Sequence, residues 1–485
     1  MAHFQGEAKY RDEPNLQGDD AEMHDVHDIT LGNDGGGGRT NYDESKVRRK
    51  WYKRPVIWAS FALVLVLVGI VGAAMALFGG SDDKNTEPAV GVNLPPPNLP
   101  PETVEANKAT FTDILSAKYN EKGMDFAPLS DTESFQSRAL TWVAGNTVYG
   151  ELSEAQNIER YAAVVFYLST YRQPHLLLAD LKPWLNNAGW ATGSNVCDWT
   201  GIECNGDGRI VGMLLPENDL TGTLPNELGL FDFLETIDFS SNLIYMDEDN
   251  HGTWTFLTSL KELIMDDNYV LSESGIPLEF AGMESIEKIS LSFNLLQGSF
   301  DEEVFLSMPT LIHFEAESNY IRGELPSSLL TMPNLTYIYL RRNSLTQALG
   351  DIFLSGNLPS LFAIWLDGNA ITGQIPSTIG EFTGIASLSI TDAGLTGPLP
   401  TEMANLVELQ RLWLYNNELS GPIPPSAAAA WTKLEVMEVY GNQLQGQMPQ
   451  AICTVIQAST YEFKSLAADC QELKCEEPSC CTTCY

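Results

Sequence analysis

His313, Glu315 and Glu317 stand two residues apart, a spacing that in an extended strand sets an imidazole and two carboxylates on one face. Such a trio could move protons or take a metal ion. Cysteine is the second reactive type, with eight residues. Cys197 and Cys204 bracket the loop "CDWTGIEC", and Cys453, Cys470, Cys475, Cys480, Cys481 and Cys484 crowd the C-terminal end. The run "CEEPSCCTTC" could hold zinc or form disulfides, and six cysteines allow many pairings between which sequence does not choose. The third set is suited to binding: Tyr337, Tyr339, Arg341, Arg342, Trp365, Asp367, Arg411, Trp413 and Tyr415. Flat rings and forked guanidinium groups are the side chains most enriched at binding hot spots.

No G-x-G-x-x-G, H-R-D, D-F-G, G-x-S-x-G or H-E-x-x-H occurs. The chain therefore reads as a non-enzyme without cofactor or metal, and His313 as a solvated histidine beside carboxylates. A net charge of −37 argues against nucleic acid as a partner.

What positions these residues is a repeat. From residue 210 the pattern L-x-x-L-x-L-x-x-N recurs ten times, ending at Asn218, Asn242, Asn268, Asn294, Asn319, Asn343, Asn369, Ala393, Asn417 and Asn442. Alternate apolar residues point one way from a short strand, and only stacked coils bury that face. The recurring Asn should sit where the chain leaves the strand and bond the backbone of neighbouring coils. The residues between the leucines then face outward. Coils one to five offer acids there, read as a solvated face, whereas coils six to ten offer aromatics and arginines. Tyr339, Trp365 and Trp413 fall at one strand position, with Ser389 interrupting the row at coil eight.

Several coils continue as "LTGTLP", "IRGELP", "ITGQIP", "LTGPLP", "LSGPIP" and "LQGQMP". These match the plant-type subclass of leucine-rich repeat proteins; coils two, three, four and six depart from the second signature. "CDWTGIEC" resembles the C-x-W-x-G-x-x-C motif that closes the N-terminal end of such ectodomains. The resemblance covers about residues 130–485. It implies an α/β right-handed solenoid with a concave parallel sheet, a Cys197–Cys204 bridge and a Trp covering the apolar end. The order of segments also resembles single-pass leucine-rich repeat proteins of unicellular algae. Plant receptor relatives usually span the membrane after the repeats, which puts a directly attached kinase in doubt here.

Residues 56–78 are uncharged and, at ~1.5 Å per residue, long enough as a helix to cross ~30 Å of hydrocarbon. "KVRRKWYKR" precedes them, so the N-terminus should be cytoplasmic and the repeats extracellular or lumenal, in the plasma membrane. That compartment is oxidising, and the C-terminal cysteines read as disulfides rather than a zinc knot.

The expected organisation is a disordered tail over 1–55, a signal anchor over 56–78 and a Pro-rich spacer over 79–104. A helical segment with the N-terminal cap follows over 105–209, then the solenoid over 210–450 and a Cys-rich cap over 451–485. Ser130-x-x-Glu133 and Ser153-x-x-Gln156 each resemble a capping box. Asn334-Leu335-Thr336 is a glycosylation sequon. The expected function is recognition of a protein, peptide or glycan, with signalling left to a co-receptor or an intracellular adaptor. The alternative is a structural, adhesive protein contacting wall or matrix.

Overall fold

The computed structural model describes residues 94–171, 183–246, 254–461, 464–474 and 480–485. The 1–55 tail, the apolar 56–78 stretch, residues 79–93 of the spacer and Cys475 lie outside them. Among the described residues no helix is long and apolar enough to cross a membrane.

Three helices open the described chain. Helix α1 (Pro101–Lys122) begins inside the stretch read as spacer. Proline suits a first helical position because its missing N–H would have no partner there. The preceding residues are docked too: Leu94 packs on the core, and the Asn98 N–H donates to the Gly145 carbonyl at 2.9 Å. Helix α2 (Phe135–Ala144) is capped by Ser134, whose hydroxyl accepts from the Ser137 N–H. The expected box at Ser130 and Glu133 does not form. Ser130 ends a short 3-10 turn, and the Glu133 N–H turns to the Asp131 carboxylate at 3.0 Å. Helix α3 (Glu154–Thr170) does carry the Ser153–Gln156 box and is buried from Asn157 onward.

Burial of α3 takes two charges inside, and each is partnered. Glu159 accepts from Arg209 at 2.7 Å and from the Ile210 N–H at 3.1 Å. Arg160 donates to the Thr192 and Ser194 carbonyls at 2.6 and 2.8 Å, with Trp142 and Trp199 against its guanidinium. Unpaired, either charge would cost several kcal/mol in this interior.

Each repeat supplies one strand to a thirteen-stranded sheet. Ile202–Cys204 lies antiparallel to Ile210–Leu214 and closes the N-terminal edge. Ten parallel coil strands follow in sequence order, then Ser465–Ala468 and Thr483–Cys484. The Cys-rich segment thus adds two strands that no repeat pattern announces.

The Asn ladder works as the spacing suggests. Asn369 Nδ2 donates to the carbonyls of Leu340 at 2.8 Å and Leu366 at 3.0 Å, while Oδ1 accepts from the Leu345 N–H at 3.0 Å. The residue just before this position has positive φ in all ten coils, and only Gly368 and Gly441 are glycines. The left-handed kink turns the chain out of the strand and aims the amide inward.

Past the Asn, short strands build flanking sheets. Six run from Thr221–Gly222 to Ser344–Leu345, and four from Thr372–Gln374 to Gln443–Leu444. The coils lacking the plant signature still form this strand. Disulfides pair Cys197 with Cys204, Cys453 with Cys480 and Cys470 with Cys484, and Cys481 is disulfide-bonded as well. Trp199 is buried beneath the N-terminal loop, as the motif implied.

Candidate recognition face

Register places the outward side chains in rows. Glu315, Tyr339, Trp365, Ser389, Trp413 and Glu438 are successive partners across six strands. His313, Tyr337, Ala363, Ser387 and Arg411 form a second row. Two residues beyond the middle row, where each strand ends, stand Glu317, Arg341, Asp367, Thr391, Tyr415 and Tyr440.

The row of aromatics packs on itself. Tyr339 and Trp365 stack at 4.3 Å, and each is only 4% exposed. Trp365 Nε1 donates to the Ser387 hydroxyl at 2.8 Å, fixing the indole. Arg341 lies over the Trp365 ring at 4.5 Å and holds Glu317 through two bonds, at 2.6 and 2.8 Å. Arg411 is buried, its Nη2 is 3.6 Å from Glu435, and Tyr461 covers its guanidinium at 5.0 Å. Its Nε and Nη1 make no hydrogen bond among the described residues and are shut away from solvent. Two of the arginines expected to meet a ligand, Arg341 and Arg411, are therefore held within the fold.

The acids of coils three and five are not a solvated face either. Glu315 and Glu317 are buried, and Asp266 accepts from the Ser290 hydroxyl at 2.8 Å and the Ser292 N–H at 2.6 Å. Asp367 accepts from Ser389 at 2.6 Å and the Thr391 N–H at 2.9 Å. Burial pushes the carboxyls of Asp266, Glu317 and Asp367 above their ordinary range. Arg341 pulls Glu317 and Asp367 down without cancelling that effect, and Glu315 pushes Asp266 further up. His313 stands beside a carboxylate as expected, its Nε2 3.2 Å from Glu315, and is half-buried rather than fully solvated. Among the described residues no group of three His, Cys, Asp or Glu is arranged to hold a metal.

A group of accessible rings lies toward the C-terminal end. Trp413, Tyr415 and Tyr440 are half-buried, and Tyr485 is 56% exposed. Tyr415 stacks on Tyr440 at 4.8 Å and Tyr440 on Tyr485 at 3.9 Å, a ladder of three rings. Tyr485 belongs to no repeat, so nothing in the pattern pointed to it. Tyr337 remains half-buried, packed against His313 at 5.2 Å and Phe362 at 5.8 Å. Arg342 stands apart: it is exposed on the left-handed turn, and its N–H donates to the Asp367 carbonyl at 2.7 Å. Asn334 is exposed.

These coils define a leucine-rich repeat solenoid, and residues 408–429 match the Leucine Rich Repeat family. The sequence is similar to plant receptor-like proteins and receptor kinases. Receptor-like protein 41 of Arabidopsis thaliana is 28% identical over 211 residues, which is 42% of this chain and 23% of that protein. Receptor-like protein kinase BRI1-like 3 of Arabidopsis thaliana is 26% identical over 209 residues, 43% of this chain and 16% of that one. The chain spans less than a quarter of the length of either relative. The fold is that of the Arabidopsis receptor kinase HAESA crystallised with the peptide hormone IDA and the co-receptor SERK1. The TM-score is 0.51 at 21% identity, over 65% of this chain and 53% of that one.

Proposed function

We propose that this chain is a recognition module whose sheet face binds a protein, peptide or glycan and performs no catalysis itself. The supporting observation is the accessible aromatic surface of Trp413, Tyr415, Tyr440 and Tyr485, on rings held rigid by stacking. Rigid aromatic anchors bind at low entropic cost, which is why they dominate hot spots. HAESA, which shares the fold, was crystallised with a peptide hormone and a co-receptor. By the same reading the 56–78 stretch anchors the chain with its N-terminus cytoplasmic, and a co-receptor or adaptor carries the signal.

The test is affinity and its salt dependence. Full-length chain in detergent micelles would be immobilised and titrated with fractionated extracellular peptides and wall oligosaccharides. A compact site predicts saturable binding that Trp413→Ala or Tyr440→Ala weakens by ~2 kcal/mol or more, with Asp238→Ala neutral. Broad, weak binding that disappears with salt and ignores both aromatic changes would instead favour the adhesive alternative.

A further inference from the structure

If this face recognises a ligand as proposed above, its charged groups also set the sign of that ligand. Two arginines lie under the aromatic rows, and neither is available. Arg341 is closed by its two bonds to Glu317 and by the Trp365 ring. Arg411 is covered by Tyr461, with its bare nitrogens out of reach of solvent. Neither guanidinium is open to a ligand carboxylate arriving at these rings, and the exposed Arg342 stands on the turn of coil six, away from the ring ladder of coils nine and ten.

The acids around the ring ladder are placed differently. Glu438 is the register partner of Trp413 and ends its strand two residues before Tyr440. It is half-buried. Asp392 is exposed on the turn of coil eight and accepts from Asn416 Nδ2 at 2.8 Å, beside Tyr415. Glu418, on the flank strand of coil nine, is exposed as well. Burial holds the Tyr415 phenol above its ordinary range; a hydrogen bond with Thr391 pulls it down, and Asp367, Asp392 and Glu438 push it up. The ladder's outer face at Tyr485 is open. An electron-rich ring face and uncompensated carboxylates on a chain of net charge −37 favour the same kind of guest.

We propose that the surface formed by Trp413, Tyr415, Tyr440 and Tyr485 with Glu438 and Asp392 binds a basic polypeptide segment, its Lys or Arg side chains set between rings and carboxylates. The aliphatic stems of those side chains cover the rings while their charged heads reach the acids. A half-buried carboxylate such as Glu438, whose charge is met by the Ser465 hydroxyl and not by a cation, gains from a cationic guest, because pairing offsets the penalty of its burial.

Full-length chain in detergent micelles is titrated with equal-length labelled peptides rich in Lys/Arg, in Ser/Gln and in Glu, with a neutral cello-oligosaccharide, and with spermine, all near physiological salt. The expected result is that the basic peptide binds at least about tenfold more tightly than every other probe. Glu438→Gln or Tyr440→Ala should cut that affinity about fivefold or more, with Glu262→Gln, an acid on the same sheet in coil three, leaving it unchanged. Spermine binding as tightly as the peptide, or equal loss in Glu262→Gln, would reduce the effect to diffuse charge neutralisation and overturn the proposal. Stronger binding of the acidic peptide or the glycan, still weakened by Trp413→Ala, would overturn the ligand class while leaving recognition by this face intact. No saturable binding by any probe would overturn it as well.

Discussion

Trp365 and Trp413 meet across an intervening strand, their rings 6.3 Å apart at 86°. Ser389 is the register partner of both, and its small side chain leaves the space in which the indoles touch. The interruption of the aromatic row at coil eight is thus what lets the row close. Ser389→Leu should drive the rings apart and strip a hydrogen bond from half-buried Asp367, costing about 1–3 kcal/mol of stability. Near-UV circular dichroism and a denaturant midpoint check both; an unchanged aromatic spectrum would mean the pair is not coupled. Trp365→Ala does not isolate binding, since a ring only 4% exposed also holds the sheet.

Coil eight is the one repeat without the ladder Asn. In its neighbours the amide oxygen takes an N–H of the preceding coil, as Asn417 takes that of Leu395 at 3.1 Å. Ala393 is half-buried and leaves that role empty toward coil seven. Ala393→Asn should raise stability by about 1 kcal/mol, read as a higher melting temperature. A fall would show that the site has no room for the amide.

Stability should rise on mild acidification. Asp266, Glu317 and Asp367 hold protons more tightly folded than unfolded, because burial disfavours their anions. Between the unfolded carboxylate value of about 4 and the higher folded values, the folded chain keeps protons that the unfolded chain has released. Their contribution is complete below the unfolded value and is lost as pH climbs through the folded ones. Glu302 has the opposite sign: Ser328 and Ser327 hold it down to about 2, so its contribution fades only as pH falls below the ordinary range. The melting temperature is expected to increase as pH falls from neutrality toward the unfolded carboxylate value of about 4, and Asp266→Asn with Asp367→Asn should flatten that slope. A slope the double variant leaves untouched would place its origin in overall charge repulsion.

The Cys197–Cys204 bridge closes a short loop whose second cysteine ends the antiparallel edge strand. Cys197→Ser should cost about 2–3 kcal/mol. Hydrogen exchange should quicken first at Ile202–Cys204 and then in the Trp199 cluster. Uniform acceleration along the solenoid would argue against a local capping role.

Asn334 is exposed with its amide toward the Pro309 carbonyl at 3.3 Å, and Thr336 completes the sequon. On the proposed topology it should carry a glycan that an amidase removes, visible as a mass shift absent from Asn334→Gln. An unmodified Asn334 in protein from membranes, with the N-terminus cut by protease on intact cells, would reverse the orientation.

The repeat was legible because burial repeats: every coil must present the same leucines inward, so the periodicity is written ten times. Register was legible for the same reason, and Tyr339, Trp365 and Trp413 do share a position. Accessibility was not. Arg341 closing on Glu317, or Tyr461 covering Arg411, depends on partners some 24 and 50 residues away that no periodic pattern links. The left-handed turn before each Asn was hidden for another reason. Eight of its ten occupants are not glycine, among them Phe293 and Arg342, so stacking rather than residue type imposes the turn. The two added strands of the Cys-rich end follow from cross-links and lack a leucine pattern altogether.

The flanking layer thins where the long sheet does not. Its strands stop at Ser344–Leu345 and resume at Thr372–Gln374; between them run the bridge from Ala348 to Thr372 and two backbone bonds, from the Ala370 N–H to the Leu345 carbonyl at 2.8 Å and from the Thr372 N–H to the Gln347 carbonyl at 3.2 Å. A laminated beam with one ply thinned bends most at the thin place. Elastic compliance should therefore concentrate between coils six and seven, beneath the stacked pair of Tyr339 and Trp365. Distance distributions between spin labels on coils five and eight should come out broader than those between coils seven and ten.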